Sequence, residues 1–227
     1  MSFENSAHTE TPHKLVIFDM DGTLINSEDI ASRAWAHASQ CLDRTITADE
    51  ARDRFHGRTF EVALDEVTQD NGGTLPAEFI DLIISFWQET VAAELQPTDG
   101  AAVLLDKLAP VIDICVASNA ASHDVLRSLT TAGLIGYFEG RTFNADDVMN
   151  GKPAPDLFLK AAARFGREPS ECIVLEDSPV GLTAAASAGM QAVGFCGHNP
   201  EDREQLAAFG VPVIDTIGDF LEYVRLP

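Results

Sequence analysis

Short apolar runs that alternate with helical patterns constrain this chain more than any other feature. LVIF (Leu15 to Phe18) runs straight into an acidic cluster. VIDICVAS (Val111 to Ser118), CIVLED (Cys172 to Asp177) and QAVGF (Gln191 to Phe195) are similar runs, and VPVI (Val211 to Ile214) is a candidate fifth. Apolar stretches without polar alternation are what strands buried on both faces require. Between them the spacing predicts helices over Ser122 to Ala132, Pro155 to Phe165 and Val180 to Ala188, the last with Gly189 at its C-cap. Strands alternating with helices specify an α/β fold: a Rossmann-like parallel sheet with helices on both faces. Such a sheet binds ligands at the carboxyl ends of its strands.

One segment breaks the alternation. From Asn26 to Leu95 the chain carries helical patterns and no strand. Glu28 to Cys41, Ala48 to Phe55, Phe60 to Gln69 and Pro76 to Ala93 read as amphipathic helices, with a turn at Asn71-Gly72-Gly73. We therefore expect a core built from residues 14–25 and 96–227, with a helical domain, residues 26–95, inserted after the first strand. Two chain crossings give that insertion a hinge. Residues 1–13 lack the apolar stretch of a signal peptide and read as a flexible leader.

Charge narrows the partners. Fifteen basic residues against 36 acidic ones leave a net charge of −21. That field repels nucleic acid and anionic membranes and favours cations. No stretch approaches the roughly 18 apolar residues of a membrane span. Cys41, Cys115, Cys172 and Cys196 are widely spaced and read as free thiols in the cytoplasm. With no evident dimer seam, a monomer is the default expectation.

The chemistry gathers at four strand ends. In FDMDGTLINSE, Asp19 and Asp21 sit two residues apart past the first strand, so both carboxylates can face one site, and Gly22 permits a tight turn. One could act as nucleophile and the other as general acid and base. In VASNA, Ser118 and Asn119 end a strand where a helix begins, which suits an anion. In NGKPAPD, Lys152 is a point charge in a loop, and Pro153 excludes a P-loop. In LEDSPVG, Glu176 and Asp177 complete a hard-oxygen cluster suited to Mg²⁺. Each alone has a plainer reading: a solvated acidic turn, an N-cap, a surface lysine, an acidic helix start.

Their order does not. Asp-x-Asp-Gly-Thr, then Ser-Asn, Lys-Pro and Glu-Asp, each at a strand end, resembles the haloacid dehalogenase superfamily of Mg²⁺-dependent phosphotransferases. The resemblance covers about Lys14 to Gly197 and is nearest to the β-phosphoglucomutase-like sugar phosphatases, whose small helical cap the insertion resembles. It implies that Asp19 attacks phosphorus to form an aspartyl-phosphate. Asp21 would protonate the leaving oxygen and then deprotonate water. Ser118 and the Asn119 N–H would bind phosphate oxygens, and Lys152 would neutralise the phosphate and orient Asp19. Mg²⁺ would be held by Asp19, the Asp21 carbonyl and Asp177, with Glu176 direct or through water. The implied substrate is a small phosphate monoester, a sugar phosphate or a sugar-acid phosphate such as 6-phosphogluconate.

Departures from the family's patterns discriminate among its members. Dehalogenases lack the second aspartate, which is present here as Asp21. Phosphonate hydrolases need a cap lysine, and none occurs between Asn26 and Leu95. The sugar-phosphate mutase, the alternative reading, would carry its cap histidine at Ala31 and its cap arginine at Phe60, and its cap lysine is missing. In the cap, His56 and Arg58 lie on an expected interhelical loop placed to read the leaving group, and Arg58 is the first candidate to contact a sugar acid. A signalling receiver is about half this length and lacks the insertion. A non-catalytic binding protein on the same fold would have lost Asp19, Asp21 or Lys152, and none is lost.

Overall fold

The structure is a computed structural model and describes residues 11–55 and 60–226. The chain divides into two compact units, Met1–Asn26 with Pro97–Pro227 and Ser27–Gln96.

The first unit is built on β1 (Leu15–Phe18), β2 (Asp113–Ala117), β3 (Thr142–Phe143), β4 (Cys172–Glu176), β5 (Gln191–Phe195) and β6 (Val213–Ile214). They form one sheet in the order β3-β2-β1-β4-β5-β6, and every pair is parallel. Leu15 registers with Asp113 on one side and Cys172 on the other, so β1, β2 and β4 end together. Every residue of β1 and β4 is buried, and all but Glu176 at the end of β4 are apolar. Leu15, Ile17, Cys115, Ala117 and Val174 pack with Leu157, Phe158 and Ala161 into one core cluster. Those last three side chains come from a helix, Asp156–Arg164.

In the second unit, α1 (Glu28–Ala38), α2 (Ala48–Phe55), α3 (Phe60–Asp70) and α4 (Phe79–Glu94) surround Trp35. Its ring centroid lies 4.8 Å from that of Phe55 and 6.1 Å from that of Phe79. Trp35 is thus a packing residue of this unit. Back in the first unit the chain continues with α5 (Ala101–Leu108), α6 (Ser122–Thr131), α7 (Asp156–Arg164), α8 (Pro179–Ala188) and α9 (Arg203–Ala207). Gly189 ends α8 with φ of 72°, the left-handed cap its sequence predicts.

Three features differ from the sequence reading. β3 is only two residues long and carries no hydropathy pattern of its own. α5 falls where no separate helix is expected, its AAVLLDKL sequence standing close to the apolar run of β2. His13, placed in the leader by sequence, is fully buried. Its amide donates to the Arg225 carbonyl at 2.7 Å, and its ring meets Gln191 and the Arg225 amide. Among the described residues no helix is long and apolar enough to cross a membrane.

Candidate active site

Three adjacent strand ends deliver the site. Asp19 follows β1, Ser118 follows β2, Glu176 ends β4 and Asp177 follows it. The Asp19 amide donates to the Leu175 carbonyl at 3.0 Å, which extends the β1–β4 ladder to the first carboxylate. Oxygens of Asp19, Glu176 and Asp177 lie within 4.8 Å of one another, and all three residues are buried.

Lys152 enters this cluster from the loop before α7. Its Nζ lies 2.5 Å from Asp19 Oδ1 and 2.6 Å from Glu176 Oε1, with the side chain almost wholly buried. The ammonium also stands 4.9 Å from the centre of the Phe158 ring. Burial works against a charged lysine, but the two carboxylates outweigh it and hold the ammonium above its ordinary range. Asp19 shows the opposite balance. Burial first, then the Glu176 and Asp21 carboxylates, push it up to about 8, with Lys152 pulling the other way.

The loop carrying Lys152 is fixed by Asn119. Asn119 Nδ2 donates to the Lys152 carbonyl at 2.9 Å, and the Lys152 amide donates to Asn119 Oδ1 at 2.8 Å. A Cβ at Gly151 would lie 2.6 Å from that oxygen, so only glycine allows so close an approach. The Asn119 side chain is therefore occupied in holding the lysine loop. Ser118 Oγ accepts from the Ala120 amide at 3.1 Å and stands 3.5 Å from Asp21 Oδ2.

Glu176 is held at both oxygens. Oε1 takes Lys152, and Oε2 accepts from the Ser178 amide at 3.0 Å and from its hydroxyl at 2.8 Å. Ser178 also caps α8 by accepting from the Gly181 amide at 3.1 Å. A Cβ at Gly181 would stand 1.8 Å from the Glu176 carboxyl, so this glycine lets the helix start sit against it. Gly22 plays the same part for Asp177. Its φ is +79°, and a Cβ there would lie 1.9 Å from Asp177 Oδ2.

A divalent cation fits these residues. Three buried carboxylates lie together, one ammonium is paired with two of them, and burial followed by the Glu176 and Asp21 charges makes Asp19 hold its proton more tightly than an ordinary aspartate. Hard oxygen donors are the ligands Mg²⁺ prefers. Asp21, Ser118, Asn119, Lys152, Glu176 and Asp177 thus gather around Asp19 in the one unit. His56 and Arg58 lie outside the described residues. Thr23 is a neighbour the sequence reading did not single out: its hydroxyl donates to Asp177 Oδ1 at 3.2 Å. It lies inside the first acidic motif, so the signal was present.

Comparison with known proteins agrees with the geometry. A family model described as haloacid dehalogenase-like hydrolase matches residues 13–189. The chain belongs to this family. It is an enzyme, a phosphoric monoester hydrolase of the haloacid dehalogenase type. The hydrolase is 32% identical to the 6-phosphogluconate phosphatase of Escherichia coli over 190 residues, 81% of this chain and 84% of that one. It is 29% identical over 189 residues to the β-phosphoglucomutase of Bacillus subtilis, covering 80% and 82% of the two chains. A solved haloacid dehalogenase-like protein of unknown function from Agrobacterium tumefaciens superposes with a TM-score of 0.83 at 31% identity, covering 93% of this chain and 97% of that one.

Proposed function

We propose that this hydrolase is a Mg²⁺-dependent phosphatase that cleaves a sugar phosphate or a sugar-acid phosphate such as 6-phosphogluconate through an aspartyl-phosphate. The observation that carries the reading is the buried cluster of Asp19, Glu176 and Asp177 with Lys152 seated 2.5 Å from the first carboxylate. Asp19 and Asp177, with the Asp21 carbonyl, are the groups that would hold the ion. Glu176, engaged at both oxygens, would reach it through water. When bound, the ion supplies Lewis-acid neutralisation of phosphate charge.

The chain's own residues then divide the work. A phosphate monoester dianion repels a carboxylate, and the Lys152 ammonium lowers that repulsion while fixing one Asp19 oxygen. The other Asp19 oxygen forms the bond to phosphorus as the ester P–O bond breaks. Asp21 gives its proton to the departing sugar oxygen. In the second half Asp21 takes a proton from water, which bonds to phosphorus as the Asp19–phosphorus bond breaks, releasing phosphate and restoring Asp19. Ser118, beside Asp21, and the Asn119 N–H would bind phosphate oxygens.

We further propose that the helical unit Ser27–Gln96 acts as the cap that reads the leaving group. Its described arginines are already committed. Arg33 pairs with Asp29 and Glu94, Arg44 with Glu50, Arg52 with Asp49, and Arg54 with Glu66 and Asp70. That supports Arg58 as the contact for a sugar acid. The mutase reading is not favoured, since Ala31 and Phe60 stand where its cap histidine and arginine would fall. A cytoplasmic location belongs to the same proposal, supported by four free cysteines.

The test is a phosphate-release screen across sugar, sugar-acid, nucleotide and short-chain phosphates, with Mg²⁺ and with EDTA. EDTA-sensitive release concentrated on sugar or sugar-acid phosphates is the expected result. Release that ignores EDTA, or none at all, would overturn the proposal.

A further inference from the structure

A chain of hydrogen bonds leads away from the acidic cluster through residues with no role so far. Thr23, fully buried, donates its hydroxyl proton to Asp177 Oδ1. The carbonyl of the same Thr23 accepts from the Thr98 hydroxyl at 2.6 Å. Thr98 Oγ1 also lies 2.8 Å from His198 Nε2. Thr98 is buried just after Pro97, where the chain re-enters the first unit, and its amide donates to the Leu24 carbonyl at 2.9 Å. His198 follows β5, its ring edge-on to Phe195 with centroids 5.5 Å apart.

Counting protons gives the chain a direction. A threonine hydroxyl has one hydrogen, and a carbonyl oxygen can only accept. The Thr98 proton is therefore spent on Thr23, and the Thr98 oxygen accepts from His198. His198 must carry hydrogen on Nε2. The sequence runs from His198 N–H to Thr98 O–H to the Thr23 carbonyl, while the Thr23 hydroxyl faces Asp177. Thr23 is thus held from behind at its carbonyl, and its side chain in turn orients a carboxylate of the cluster.

We propose that Thr98 and His198 are positioning residues for Asp177: they fix Thr23 so that its hydroxyl holds the Asp177 carboxylate in the orientation that takes the cation. The inference rests on the metal-dependent reading above. It extends that reading to two side chains that touch neither substrate nor metal. Groups hydrogen-bonded behind a metal ligand typically change affinity by about 10–100-fold when removed.

The experiment is calorimetric titration of the metal-free full chain with MgCl₂, beside melting temperatures in EDTA. Thr98→Val keeps the shape and removes the hydroxyl, and it should weaken Mg²⁺ binding by about tenfold. Thr98→Ser keeps the hydroxyl and should restore affinity to near wild type, a rescue that a packing role alone would not give. His198→Ala should shift affinity in the same direction by a smaller factor. Wild-type affinity in folded Thr98→Val overturns the proposal, as does a Thr98→Ser variant impaired as much as the valine one. If Thr98→Val does not fold, His198→Ala decides, and unchanged Mg²⁺ affinity there overturns the proposal. A wild-type chain that binds no Mg²⁺ overturns the metal-dependent function and this inference with it. Normal wild-type binding with unaltered variants overturns the inference alone.

Discussion

Asn119 and Lys152 grip each other twice, side-chain amide to backbone, at 2.9 and 2.8 Å. The end of β2 is thereby locked to the loop that delivers the ammonium. Each neutral hydrogen bond of this kind contributes about 0.5–1.5 kcal/mol net. Asn119→Ala should therefore cost about 1–3 kcal/mol in urea unfolding. Steady-state kinetics should show kcat falling more than KM rises, because the loosened group is the lysine that orients Asp19. An unchanged kcat would reduce the Asn119 grip to scaffolding.

Lys152→Met leaves two buried carboxylates without their counter-ion. Removing one partner of such a pair costs about 3–5 kcal/mol, which urea unfolding at neutral pH would read directly. Phosphate release should fall by about 10²–10³. A variant as stable as wild type would mean that the cluster does not depend on the lysine for its charge balance.

Asp19→Asn removes the proposed nucleophile and relieves the excess of buried negative charge. Turnover should vanish in a phosphate-release assay. The melting temperature in EDTA should equal or exceed that of wild type, because one desolvated carboxylate is gone. Residual steady-state turnover would remove Asp19 from the nucleophile's role.

His13 makes a prediction about pH. Its Nδ1 accepts from the Arg225 amide at 3.0 Å, so a proton on that nitrogen breaks the contact. Burial, reinforced by the Arg225 charge and opposed by the Gln191 hydrogen bond, holds its pKa below the ordinary value. Below about pH 6.5 the unfolded chain takes up a proton that the folded one refuses. The stabilisation is therefore complete above that pH and is lost as pH falls through it. Urea unfolding at pH 7.5 and 5.5 should show a larger loss for wild type than for His13→Gln. Equal losses would mean that His13 titrates normally.

Much of this molecule was legible in advance, for physical reasons that differ by element. β1 and β5 occupy the residues their apolar runs predict, because a buried parallel strand leaves no room for polar interruption. β3 was not legible, since Thr142 and Phe143 owe their strand geometry to pairing with β2. The order of the strand-end residues foretold that Asp19, Ser118, Lys152 and Glu176 would meet. It did not foretell that Asn119 would spend its side chain on the Lys152 loop, or that Ser178 would take one oxygen of Glu176. Those contacts depend on which atoms face each other across 33 residues or across a single turn. The Thr98–His198 contact spans 100 residues and has no local pattern at all. Only the folded chain brings such a pair together.

The bridge between Ile25 and Pro97 means that the chain leaves and re-enters the sheet unit at the same spot. Everything from Ser27 to Gln96 is a detour between two flanking residues, Ile25 and Pro97, that are bridged to each other. A detour of this kind can be shortened, lengthened or exchanged without any strand losing a neighbour. Ile25 and Pro97 stand far apart along the sequence, yet seen from the sheet they are neighbours, and its six-stranded order closes without the excursion.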